Sequence, residues 1–136
     1  MNTKFLVAGL VGFVVLFLSG WLIYGMLLAE TMGSFMNTAC TRPMEEMNIG
    51  LIAVGNVFWG FAIAFILSNW SGGATLQKGL QAGAVIGGLY SAAYGCMTFA
   101  QTTLMTSSTG IFLDVALSIL MYGIAGAAIG WWLGRK

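Results

Sequence analysis

Residues 79–95, GLQAGAVIGGLYSAAYG, form an uncharged segment with a regular pattern of small residues. Small residues recur there at every fourth position: Gly79, Gly83, Gly87, Ser91 and Gly95. Because a helix turns about 100° per residue, a step of four drifts by about 40°, and the first three are predicted to share one face. Ser91 and Gly95 are predicted to drift to a flank. Small residues let helix backbones approach closely in lipid, so the three glycines predict a packing seam.

The composition places this stretch in a membrane protein. Of the 136 residues, 59% are hydrophobic and only 7% are charged, whereas a soluble domain carries about 25% charged residues. A membrane-spanning helix needs about 20 mostly apolar residues. Four segments are long enough: 5–28, 49–70, 80–103 and 111–133. The sequence therefore predicts an all-α integral membrane protein, a four-transmembrane-helix bundle formed by residues 1–136 as a single domain.

The basic residues predict how this bundle is oriented. Four of the five fall on one side of the predicted topology: Lys4, Lys78, Arg135 and Lys136. Positive charge is retained in the cytoplasm, so both termini are predicted to be cytoplasmic. Three tryptophans fall near the same side, where an aromatic belt is expected: Trp70, Trp131 and Trp132. The outer side then holds a long loop, 29–48, in which Pro43 and two glutamates favour the start of a helix.

The fourth predicted span has two distinct faces. One contains Asp114, Ser118, Met121, Tyr122 and Ala125. Gly123, Gly126 and Gly130 are predicted to lie nearly opposite, as a second packing seam. A helix with two packing faces favours two neighbours, one of which is a second subunit or a larger partner. The alternative is that these glycines face lipid without consequence.

Asp114 is the only charged residue inside a predicted span. Ionisable groups in membrane helices usually face the bundle interior or water, with a partner. The outer ends of the four spans bring further polar residues to the same level, and together they form a candidate ligand-binding site: Glu30, Asn56, Tyr94, Gln101 and Asp114. The alternative is an interfacial carboxylate near a helix N-terminus, where negative charge is favoured, with Ser107, Ser108 or Thr109 as the cap.

The sequence lacks the residues that several kinds of chemistry require. There is no histidine, and Cys40 and Cys96 fall at different predicted depths, so neither a metal site nor a disulfide is expected. No phosphate-binding motif is present. The net charge of +1 gives no basic surface for nucleic acid. We therefore expect no enzyme, no cofactor and no nucleic-acid partner.

Three segments resemble a known family. They are Trp21–Gly25 (WLIYG), Thr75–Gly79 (TLQKG) and Ile124–Trp132 (IAGAAIGWW). With the spans placed, the chain resembles the bacterial four-span membrane proteins grouped as domain-of-unknown-function 1761. The resemblance implies a bacterial inner-membrane protein with no known reaction, and it assigns no functional residues.

Two functions remain open from the sequence. The favoured one is a small integral membrane protein that acts through helix packing, as a homo-oligomer or as an accessory subunit of a larger complex. The alternative is a small transporter or channel-like protein with an outward-facing polar site around Asp114. In both cases the partners are the lipid bilayer and another copy of the chain or a second membrane protein.

Overall fold

The computed structural model describes residues 3–69 and 73–135, and most of them are helical. Helix α1 (Thr3–Gly20) continues into a π-helical segment (Trp21–Leu27). A short helix α2 (Ala29–Ser34) and a 3-10 turn (Met44–Glu46) follow. The remaining helices are α3 (Ile49–Ser68), α4 (Leu76–Gln101) and α5 (Ser108–Gly134). Within the described ranges there is no strand, only an isolated antiparallel bridge between Met36 and Met105.

Three helical segments are long and apolar enough to cross a membrane: Thr3–Leu27, Ile49–Ser68 and Ser108–Gly134. They coincide with the first, second and fourth predicted spans, although Trp70, where the second was predicted to end, lies outside the described residues. Helix α4 has 26 residues and so has the length of a span. Its five glycines, together with tyrosine and glutamine residues, make it less apolar than the other three. The all-helical class is therefore confirmed, with three membrane-compatible helices.

The long helices pack as two antiparallel pairs. Helix α4 lies along α5, and α1 lies along α3. Contact between α1 and α5 joins the pairs, whereas α3 and α4 meet only locally. The largest side chains that are fully buried lie between α1, α3 and α5: Leu16, Ile63, Leu67 and Ile129. Helix α4 is thus attached to the bundle mainly through α5.

The closest contact between helices is that of α4 with α5. A Cβ built at Gly79 would collide with the carbonyl oxygen of Gly126, and one at Gly83 with that of Tyr122. A Cβ at Gly87 would lie 2.6 Å from the carbonyl oxygen of Ser118. The colliding atoms are backbone, which cannot move aside as a side-chain end can. Glycine is therefore required at these three positions of α4.

The prediction that Ser91 and Gly95 leave this face is wrong. Ser91 is only 3% exposed, and a Cβ at Gly95 would come within 2.7 Å of the Ile111 side chain. Residues spaced by four form a ridge that is inclined to the helix axis, and a second helix can follow that ridge along its whole length. Helix α5 does so, and all five residues form one small-residue row.

The prediction of two opposite faces on α5 also needs correction. Gly126 and Gly130 continue in steps of four from Ser118 and Tyr122, and all four positions face α4. A Cβ built at Gly123 would make only ordinary contacts with α4, at 3.4 Å from Leu80 Cδ1 and 3.6 Å from Ala84 Cβ. The second face meets α1: Met121 approaches Gly20, and Ile129 approaches Gly12. Both faces of α5 are therefore covered within one chain.

The loop 29–48 is fixed to the α4–α5 connection by backbone hydrogen bonds. Asn37 N–H donates to Leu104 O over 2.8 Å, and Thr106 N–H donates to Phe35 O over 2.9 Å. The side chain of Ser107 accepts from Thr109 N–H at the start of α5. The helix predicted at Pro43 is present only as the short 3-10 turn. These contacts hold the two helix pairs together at this end of the bundle.

Candidate functional site

Asp114 lies in the second turn of α5 and is bonded to two other helices. Its Oδ1 accepts a hydrogen bond of 2.7 Å from Tyr24 Oη. Its Oδ2 accepts one of 2.5 Å from Ser91 Oγ. Tyr24 belongs to the π-helical continuation of α1, and Ser91 belongs to α4. The carboxylate therefore joins three helices through what we call the polar centre, formed by Tyr24, Ser91 and Asp114.

Local structure explains how each hydroxyl reaches the carboxylate. The turn after Tyr24 is wide, because Leu28 N–H donates over 2.8 Å to Ile23 O, five residues back. Such π-helical turns are frequent at functional sites. Ser91 occupies the fourth position of the small-residue row, where α4 and α5 are close enough for a short side chain to reach across. Ser118, one turn further along α5, is also buried.

In the polar centre, a carboxylate accepts hydrogen bonds from two neutral hydroxyl groups. Hydrogen bonds to an ionised group are roughly twice as strong as those between neutral groups. Neither of the two described for Asp114 comes from a basic side chain. Hydroxyl groups can accept as well as donate, and hard cations prefer oxygen ligands. Three side chains with oxygen atoms thus converge where a proton or a small cation could be held.

Aromatic side chains adjoin the polar centre. The Trp59 ring packs edge-on against Tyr90, with centroids 4.5 Å apart, and against Tyr122, with centroids 5.3 Å apart. Tyr94 stacks on Tyr90 at 5.9 Å. Edge-to-face pairs of this kind contribute about 0.5–1.5 kcal/mol beyond their buried area. These four residues, the aromatic cluster, connect α3 to both helices of the other pair.

The five residues predicted as a ligand site are spread over the structure. Glu30 is exposed on α2, and Gln101 is exposed at the end of α4. Asn56 Nδ2 donates over 2.8 Å to Ile52 O in its own helix. Tyr94 belongs to the aromatic cluster and is half-exposed, while Asp114 forms the polar centre. Among the hydrogen bonds of residues 3–69 and 73–135, none joins two of these five.

Sequence reasoning did not include Tyr24 and Ser91 among the candidate site residues. Ser91 had a usable signal, since it continues the spacing of Gly79, Gly83 and Gly87. Tyr24 had none, because its direction depends on the π-helical turn, which helical periodicity does not indicate.

The fold and the polar centre define an all-helical protein with three helices suited to crossing a membrane. Comparisons with models of protein families, with curated proteins and with solved structures found no match to this chain. The resemblance to domain-of-unknown-function 1761 therefore stays a prediction from sequence.

Proposed function

We propose that the protein is a small integral membrane transporter or channel-like protein whose polar centre binds a cation. The observation that carries this proposal is Asp114 on the apolar helix α5, accepting hydrogen bonds from α1 and α4. Charged side chains inside membrane helices are costly and commonly mark ion pathways. A carboxylate that is satisfied by hydroxyls rather than by a basic group can exchange those donors for a cation.

We further propose four spans with both ends of the chain in the cytoplasm. Two contacts at opposite ends of the bundle support this arrangement. Lys4 Nζ donates to Arg135 O, which brings the start of α1 beside the end of α5. Asn37 N–H donates to Leu104 O at the other end. Helix α4 runs antiparallel along α5 between these ends, and its length is sufficient for a crossing.

Cation binding at Asp114 would be coupled to the positions of the helices. The carboxylate holds Tyr24 and Ser91, which belong to different helix pairs. When a cation neutralises the carboxylate, the two hydroxyls turn lone pairs toward the cation and their hydrogen bonds to Asp114 weaken. A ligand changes a conformational equilibrium by its difference in affinity for the two states. Cation binding at Asp114 therefore changes the free energy of association between the α1–α3 pair and the α4–α5 pair.

The proposal is tested by thermal unfolding in mild detergent with sodium, potassium or choline chloride at one ionic strength, over a range of pH. Stabilisation by a bound cation follows its concentration and reaches about 2.7 kcal/mol at a hundredfold excess over Kd. We expect one inorganic cation or the proton to stabilise the wild type. The isosteric Asp114→Asn variant should lose this response and remain folded. A response that is equal in the two proteins, or absent from both, contradicts the proposal.

Tyr24→Phe is the companion variant. It removes one donor from Asp114 without changing the ring, and the loss of one hydrogen bond to this partly buried acceptor should cost about 1 kcal/mol. We expect reduced stability in the absence of the stabilising cation and a weaker stabilising response when the cation is added, because the Tyr24 hydroxyl is also one of its proposed oxygen ligands. Tyr94→Phe is the matched control, because that ring is 51% exposed and should change neither quantity. Equal behaviour of the two variants would show that the hydroxyl of Tyr24 has no particular role.

A second candidate function is helix packing with another membrane protein or another copy of the chain. It is favoured by the position of α4, which contacts its own chain mainly through α5. Large side chains on the rest of α4 are exposed, including Val85, Leu89 and Met97. Native mass measurement in mild detergent would detect a stable dimer or a second protein. A monomer without a partner contradicts this candidate and leaves the cation proposal unaffected.

A further inference from the structure

We propose that the end of the bundle opposite loop 29–48 binds the phosphate group of an anionic phospholipid. A cavity of about 370 Å³ opens there between α1, α3 and α5. Its lining includes the polar side chains of Lys4 and Ser68, together with Gly73 and Ala74. The apolar residues of its lining are Phe5, Leu67 and Leu133. We call this the headgroup cavity, and it lies at the other end of the bundle from the polar centre.

Positive charge converges on the headgroup cavity from separate elements. Lys4 lines it from α1. Lys78 Nζ lies 3.1 Å from the carbonyl oxygen of Gly73, which is itself part of the wall. Helix α4 begins at Leu76, two residues after Ala74, and its N-terminus contributes the positive end of the helix dipole.

The surroundings of the cavity match the level of lipid headgroups. The Arg135 guanidinium lies 4.2 Å from the Trp131 ring centre and 5.5 Å from that of Trp132. Tryptophan is enriched where a membrane meets water, and basic residues there contact anionic lipid. Because Lys4 and the apolar side chains of Leu67 and Leu133 line the same cavity, it can hold a phosphate and the first part of an acyl chain together. A free phosphate ion would use only the polar residues of the lining.

The size of the cavity is adequate for such a ligand. Binding pockets for small molecules measure about 300–1,000 Å³, and the headgroup cavity falls within this range. A basic residue at the membrane surface contributes about 1 kcal/mol to the binding of anionic lipid, which is about fivefold in affinity. The preference for anionic over zwitterionic lipid should therefore be about fivefold lower in a variant in which Lys4 or Lys78 has lost its charge.

The experiment is native mass spectrometry of the full chain in mild detergent, titrated with phosphatidylglycerol, phosphatidylcholine or inorganic phosphate. We expect one or two phosphatidylglycerol molecules to bind in preference to phosphatidylcholine. Lys4→Gln and Lys78→Gln should each reduce this preference about fivefold, and Lys4→Arg should retain it. Arg42→Gln is the matched control. It also removes one basic charge, but Arg42 lies in loop 29–48 at the other end of the bundle, so the lipid preference should not change.

Three outcomes would overturn the proposal. The first is the absence of a preference for phosphatidylglycerol in the wild type, which is measured without any variant. The second is an equal loss in Arg42→Gln and Lys4→Gln, which would indicate a general effect of charge. The third is equally tight binding of inorganic phosphate, which would assign the cavity to a free ion. Asp114→Asn should keep the lipid preference, so failure here and failure of the cation proposal are separate results.

Discussion

At Gly83 the separation of two helices is set by a single hydrogen atom. A methyl group in its place would collide with the Tyr122 carbonyl oxygen and press on Gly126. Because the obstacle is backbone, the helices must separate along several neighbouring positions. Insertion of extra carbon into a close-packed interior costs about 1–3 kcal/mol, and a backbone obstacle places this site at the upper end of that range.

We therefore expect Gly83→Ala to lower the free energy of unfolding by about 2–3 kcal/mol, measured by denaturant titration in mild detergent. Gly55→Ala is the matched control, since nothing lies within 4 Å of a Cβ at that helical position. Alanine there should be neutral or stabilise by about 0.5–1 kcal/mol. Similar losses in both variants would mean that the separation of α4 and α5 is not limited at Gly83.

The residues of the polar centre show how far single positions could be predicted. Asp114 stands out because it is charged within an apolar run. Angles counted around a straight helix place Ser91 on the wrong face, because they ignore a partner helix that follows an inclined ridge. The direction of Tyr24 was beyond prediction, since one wide turn rotates all later positions relative to α1. The charge of Asp114 is evident from the sequence, but the residues that donate hydrogen bonds to it are determined by tertiary structure.

Among the helices, α3 reaches both α4 and α5 through the single side chain of Trp59, in addition to its aliphatic core contacts with α5. Trp59 touches Tyr90 of α4 and Tyr122 of α5. Its neighbour Phe58 is 71% exposed and points away from the bundle. Trp59 and Phe58 therefore allow an aromatic side chain that contacts other helices to be compared with an exposed one in the same helix.

Trp59→Ala should destabilise the protein by about 2–4 kcal/mol, somewhat less than the loss of a fully buried aromatic residue. Phe58→Ala should cost less than about 0.5 kcal/mol, as for a surface substitution. Tryptophan fluorescence is unsuitable because the signal itself changes, so unfolding should be followed by helical circular dichroism. If Phe58→Ala were the more damaging change, the contacts of α3 with α4 and α5 would not depend on Trp59.

At the scale of the whole molecule, the two ends of the bundle differ in their chemistry. One end holds the headgroup cavity and contacts of Lys4, Lys78 and Arg135. The other end holds loop 29–48 and its backbone bonds to the α4–α5 connection. Hydropathy alone predicts the all-helical class and the approximate positions of the long helices, of which three are apolar enough to cross a membrane. It does not predict how the helices pair, because all four predicted spans have apolar surfaces and only close contacts distinguish their neighbours.

The proposed topology gives a direct prediction for α4. In a chain whose native cysteines are replaced by serine, Gln77→Cys and Thr103→Cys should react with a membrane-impermeant maleimide from opposite sides of sealed vesicles. Both positions are exposed and lie at the two ends of α4. Arg135→Cys should behave like Gln77→Cys. Labelling of positions 77 and 103 from the same side would exclude a crossing by α4.

The close fit of α4 to α5 has a consequence for how the chain enters a bilayer during synthesis. Helix α4 is the least apolar of the long helices, with a backbone exposed by its glycines and hydroxyl groups along one side. That side is covered almost entirely by α5, the next helix to be made. Alone in lipid, α4 would leave its Ser91 hydroxyl and its glycine-lined backbone against hydrocarbon. If α4 crosses the membrane as proposed, we expect it to enter the bilayer together with α5, as a helical hairpin, and not before α5 has been made.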